Sequence, residues 1–210
     1  MPSVLTLQSL PLFPLGTVLF PDGVLPLRVF EVRYLDMIGR CQRAGAPFGV
    51  VCLTHGSEVR RPGATEAFCD VGTLATIDRL ETPQPGLMTV RAAGTQRFRI
   101  TAREQLKHGL WVADVERLPQ DQPVAIPADL QPTTDALARL IESLQQRAGG
   151  SDLPIRAPWR LQDCGWVANR WCELLPLPPA LKQRLLELDN PLLRLELVGD
   201  LLARTGIAGG

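Results

Sequence analysis

The spacing of apolar positions changes along the chain, and each change marks a new kind of element. Residues 10–34 (LPLFPLGTVLFPDGVLPLRVFEVRY) are rich in strand-forming side chains yet carry four prolines, Pro11, Pro14, Pro21 and Pro26. Each proline removes a backbone donor and fixes φ, so the pattern predicts an edge strand or short interrupted strands, not a strand paired on both sides. From Glu31 the period becomes helical. Tyr34, Met37, Ile38 and Cys41 recur at i, i+3, i+4 and i+7, on one face of a helix ending near Gly45.

Strand-like runs follow at residues 48–53, 70–80, 87–100 and around Trp111. Thr82-Pro83-Gln84-Pro85-Gly86 has the residues of a turn, which makes the segments on either side adjacent antiparallel strands. Residues 96–103 alternate: Phe98, Ile100 and Ala102 are expected to face the core, and Arg97, Arg99, Thr101 and Arg103 the solvent. Prolines 119, 123, 127 and 132 mark a linker. Beyond it Leu137, Leu140, Ile141 and Leu144 form a helical stripe stopped at residues 149–151. A second helix is expected from Pro158 or Trp159, carrying Cys164, Val167, Ala168, Trp171 and Leu175. The leucines from Leu181 to Leu202 continue the pattern, but Pro191 splits them into two helices capped at Asp189 or Asn190. The expected fold is therefore α+β: a β-rich, barrel-like domain over residues 1–118 with one short helix, a linker over 119–132, and a helical bundle over 133–210.

The order of Pro-punctuated strands, a Phe-Pro-Asp-Gly turn, Leu-Pro-Leu and a short helix carrying Arg33 and Tyr34 resembles the N-terminal substrate-recognition domain of Lon-type ATP-dependent proteases. FGVVCL, DVGTLATIDRL, LMTVRAAGTQRFRI and the helical stretch LLPLPPALKQRLLELDNPLLRLELVGDLL follow in that family's order. Full-length Lon proteins carry Arg-Asp where this chain has Gly16 and Thr17, and Gly-Arg-Glu where it has Val29, Phe30 and Glu31. In this the chain is closer to stand-alone LON-domain proteins. The resemblance implies a LON-type, PUA-like β domain.

With 45% apolar residues in 210, the chain has enough apolar content to bury a core. Its 22 cationic side chains balance 22 anionic ones, which gives none of the basic excess that nucleic-acid binding leaves. No signal-peptide pattern or membrane-length apolar run is seen, so a cytoplasmic protein without a membrane partner is expected. Five cysteines without a C-x-x-C pair suit a reducing compartment and buried small side chains.

The Lon resemblance raises the question of catalysis. A P-loop needs Gly-Lys-Ser/Thr, but Lys107 and Lys182, the only two lysines, lie in Leu-Lys-His and Leu-Lys-Gln. A Ser-Lys dyad would draw on the same lysines and on Ser3, Ser9, Ser57, Ser143 and Ser151, none in a Lon peptidase motif. His55 and His108 each precede glycine and begin no zinc motif; Cys52 and His55, three apart on a strand, point to opposite faces. The pairs Glu31/Asp36 and Glu66/Asp70 read as solvated surface. Neither an enzyme, a cofactor nor a metal is expected.

Two binding functions remain. The resemblance implies a non-catalytic module that binds exposed apolar segments of other polypeptides, either unfolded clients or a separate protease, with Phe20, Tyr34, Phe48 and Trp111 as candidate contacts. The rival is an RNA-binding PUA-like module that meets phosphates through Arg97, Arg99 and Arg103.

Overall fold

The proline-bearing start of the chain forms β1 (Thr6–Leu15), and against expectation this strand is paired on both sides. The partners divide its length. Thr6 to Pro11 pair antiparallel with β6 (Trp111–Arg117), and Leu12 to Leu15 pair parallel with β3 (Phe48–His55), so each half is bonded mainly on one side. A proline lacking its N–H is tolerated where one flank is open.

The structure is a computed structural model describing residues 5–58, 65–148 and 153–205. It separates into two units, Met1–Gln120 and Asp121–Gly210. In the first, β1 is followed by β2 (Val24–Val29), α1 (Val32–Ala44), β3 (Phe48–His55), β4 (Ala67–Gln84), β5 (Leu87–Gln105) and β6 (Trp111–Arg117). The sheet runs β2-β5-β4-β3-β1-β6, and β6 pairs again with β5, which closes the pairings into a ring with β2 outside it. The Phe-Pro-Asp-Gly turn closes from the Gly23 N–H to the Phe20 carbonyl at 3.0 Å. It docks so tightly on β5 that a Cβ at Gly94 would lie 2.2 Å from the Phe20 carbonyl oxygen.

α1 ends as its sequence predicts. Gly45 takes the left-handed conformation at φ 59° that glycine adopts without strain, and the Ala46 N–H donates back to the Cys41 carbonyl. Its buried face carries Tyr34, Met37, Ile38 and Cys41, which pack against Phe13 and Phe48. A second cluster of Leu10, Leu12, Val51, Phe98 and Val115 fills the core elsewhere in the unit. The expected hairpin is present, with Gln84 opposite Leu87 across Pro85 and Gly86.

The alternation over residues 96–103 breaks down. Phe98 is buried as expected, but Arg97 is only 4% exposed, while a register shift between Ile100 and Ala102 leaves Ala102 outside. A bulge re-aims every side chain beyond it, which local periodicity does not reveal.

The second unit holds a short 3-10 turn (Ala128–Leu130) and α2 (Gln131–Ala148), α3 (Cys164–Leu174), α4 (Pro179–Glu187) and α5 (Pro191–Thr205). The stop expected at residues 149–151 lies outside the described residues. α3 starts later than expected because the Asp163 side chain caps it, accepting from the Gly165 N–H at 3.1 Å. Asn190 caps α5 by accepting from the Leu192 and Leu193 N–H groups at 3.0 and 3.2 Å. The segment read as a linker is not a free tether. Asp121 binds Arg194, the Val124 carbonyl accepts from the Cys164 N–H at 2.8 Å, and Ala125 bridges Asp163. Its prolines leave residues 119–127 without helix or strand but do not stop them packing, and residues 128–132 already form the 3-10 turn and the start of α2.

Candidate functional site

Beside the outer strand β2 lies a groove of about 310 Å³. Phe13 and Leu15 from β1, Leu25, Leu27 and Val29 from β2, and Phe30 and Tyr34 at the entrance to α1 line it. Its apolar character follows from the two strands: both run Leu-Pro-Leu or Phe-Pro-Leu, and Pro26 holds β2 at the edge of the sheet. Phe13 stacks on Tyr34 with ring centroids 4.1 Å apart, whereas Phe30 stands 55% exposed. Arg28, Glu31 and Glu58 also line it, and the Glu58 carboxylate accepts from the Gly16 N–H at 2.7 Å.

Arg33 anchors this corner from the buried side. Its guanidinium donates to Glu31 at 3.0 Å, to the Gly109 carbonyl at 2.7 Å and to Glu66 at 3.1 Å, and it lies 4.4 Å over the Tyr34 ring. The second Glu66 oxygen accepts from the Trp111 indole at 2.8 Å; Trp111 meets Phe68 edge-on at 5.3 Å, and Arg103 covers that ring at 4.8 Å. Burial works against the charge of Arg33, but Tyr34, Glu66 and Glu31 outweigh it and raise its pKa.

Burial pushes the Tyr34 phenol well above its ordinary value, with Glu66, Glu31 and Glu58 adding to the effect and Arg33 opposing it. The phenol is neutral when protonated, so above pH ~10 the unfolded chain loses a proton that the folded chain keeps. The stability linked to Tyr34 is therefore complete below pH ~10 and falls above it by up to about 1.4 kcal/mol per pH unit. Tyr34 is the only tyrosine, so in an alkaline titration tyrosinate absorbance should appear only together with loss of circular dichroism. Tyrosinate formed near pH 10 in a folded chain would contradict this.

Residues 9–204 match the family model for the ATP-dependent protease La (LON) substrate-binding domain. The chain belongs to this Lon substrate-binding domain family. It is 31% identical to the Lon protease of Paraburkholderia phytofirmans over 212 aligned residues, 96% of this chain and 25% of that protein. It is also 31% identical to protein cereblon of Danio rerio over 119 residues, 55% of this chain and 26% of that one. The chain thus spans about a quarter of the length of these relatives. Among solved structures, a Lon N-terminal domain protein from Xanthomonas campestris superposes with TM-score 0.70 at 31% identity, covering 94% of this chain and 98% of that one. The N-terminal domain of the Mycobacterium avium complex Lon protease shares the fold, with TM-score 0.58 at 20% identity, covering 92% and 97%. As a Lon substrate-binding domain the chain falls among substrate-recognition modules.

In this Lon-type domain the candidate residues separate. Tyr34 lines the groove, and Trp111 is joined to its corner through Glu66 and Arg33. Phe20 and Phe48 are each 0% exposed: Phe20 is drawn in by the docked turn, and Phe48 faces Phe13 across the core. They are core residues and offer no surface. Nor do the three arginines share a face. Arg97 is buried, with its guanidinium reaching the Pro119 carbonyl, Arg99 is exposed, and Arg103 is held by Asp70 at 3.2 Å and by the Phe68 ring. Sequence reasoning missed Phe30, whose signal was an aromatic placed between a strand and a helix. It also missed Glu66, read as surface but with a side chain only 7% exposed against Arg33.

Proposed function

We propose that the chain recognises apolar segments of unfolded or partly unfolded polypeptides in the groove beside β2, without cutting them. The observation that carries this is Phe30, an aromatic side chain 55% exposed at an apolar groove. Contiguous exposed apolar surface of this kind marks interaction sites. β2 is the outermost strand of the sheet, so its outer backbone groups are open to an extended chain. The motif census argues against ATPase or peptidase chemistry. In this reading the ring of strands is a PUA-like barrel, the helices form a bundle, the setting is cytoplasmic, and the partners are client polypeptides or a separate protease.

Binding of a permanently unfolded model protein tests it. Phe30→Asp should cost about 2 kcal/mol, roughly thirtyfold in Kd, as expected for an aromatic contact at the centre of an interface. Raising salt from ~50 to ~200 mM should leave wild-type binding nearly unchanged, because apolar burial releases no counterions. Changing Arg97, Arg99 and Arg103 to Gln should have little effect on client binding. RNA retained at low salt and lost with that triple change, while Phe30→Asp does nothing, would overturn the reading.

A further inference from the structure

β3 and β4 pair with Val51 opposite Gly72 and Leu53 opposite Phe68, so the register slips between these pairs. Cys52 therefore faces residues 69–71 of β4, and its thiol is hydrogen-bonded to that of Cys69. Cys52 is 4% exposed and Cys69 half-buried, whereas Cys41, Cys164 and Cys172 are all buried. Adjacent strands lie about 4.7–4.9 Å apart, within the Cα separation of about 4.4–6.8 Å that a disulfide spans.

We propose that Cys52 and Cys69 form a reversible modification site, a dithiol that peroxides convert to an intramolecular disulfide between β3 and β4. Cys69 is the sulfur that an oxidant reaches first. Its thiolate attacks one peroxide oxygen; the O–O bond breaks, Cys69 becomes a sulfenic acid, and the departing hydroxide takes up the thiol's proton as water. The Cys52 sulfur then attacks the Cys69 sulfur. The S–S bond forms as the S–O bond breaks, and hydroxide leaves with the Cys52 proton as a second water. Two thiols have lost two protons and two electrons, and one peroxide has taken them up to become two waters. A small thiol restores the pair by exchange.

Burial raises the Cys52 pKa, with the hydrogen bond from Cys69 opposing it, which suits Cys52 to the resolving role and not to the first attack. Cys52 also stands beside Leu15, a wall of the groove, but the thiol chemistry does not depend on what the groove binds.

The test treats the folded full chain with hydrogen peroxide, blocks free thiols, and maps peptides without reductant. One crosslink between Cys52 and Cys69 is expected, lighter by two hydrogens and lost on adding dithiothreitol, with the other three cysteines still reduced. Cys52→Ser should replace the crosslink by a sulfenic acid on Cys69 that a cyclic dione traps. If that variant does not fold, the wild-type map decides alone. Oxidation of Cys69 without a crosslink, a crosslink between two chains, or no reaction under conditions that oxidise free cysteine would each overturn the proposal.

Discussion

Asp121→Ala is expected to destabilise the helical unit by about 3 kcal/mol or more, the range seen when one partner of a buried ion pair is removed. Arg194 is 1% exposed on α5, and Asp121 meets it twice, at 2.5 Å through Nη1 and 3.3 Å through Nη2. The remaining donors are committed to neutral acceptors: Nε to the Leu185 carbonyl at 3.0 Å, Nη1 to the Asn169 side chain at 3.0 Å, and Nη2 to the Leu188 carbonyl. Without the aspartate the guanidinium is a buried cation with no counter-charge, held by dipoles alone. The double change Asp121→Ala with Arg194→Met should recover part of the loss, since the apolar replacement no longer carries a charge to desolvate. Denaturant unfolding followed by tryptophan fluorescence reports on this unit through Trp166 and Trp171, both buried in α3. A loss below about 1 kcal/mol, the level of an exposed pair, would contradict the argument.

Arg33→Met should cost the first unit a similar amount, about 3 kcal/mol. The methionine fills much of the volume but leaves Glu66, with a side chain 7% exposed, without its cation, and leaves the Gly109 carbonyl only the longer bond from the Gln105 amide at 3.3 Å. Glu66→Gln alone keeps an acceptor for the Trp111 indole and removes the charge, so the two changes together should cost less than their sum. A double-mutant cycle with coupling of about 1–3 kcal/mol is the expected result. Strict additivity would mean that Arg33 and Glu66 do not act as a pair. The same variant loosens Tyr34 and Glu31, so client binding in the groove should weaken along with stability.

What the sequence determined by itself was the kind of each element and several of its ends. Gly45 after the Tyr34-Met37-Ile38-Cys41 stripe, Pro85-Gly86 between two strands, and Asn190-Pro191 between two leucine runs each act within a few residues, through φ, a missing N–H or a side-chain cap. The order of these local signals was enough to bring out the Lon-type domain. Tertiary structure decided which faces meet. β1 became an internal strand because two partners share its length, a choice made by β3 and β6 some 40 to 100 residues away. Arg97 turned inward, Phe20 and Phe48 sank into the core, and Phe30 stayed in water. Burial depends on what packs from outside the element, and a period of two or 3.6 says only which side chains share a face. The pairs Arg33–Glu66, Arg194–Asp121 and Cys52–Cys69 join residues far apart in the chain. No local pattern encodes such contacts, because each exists only once the strands have taken their register and the helices have docked.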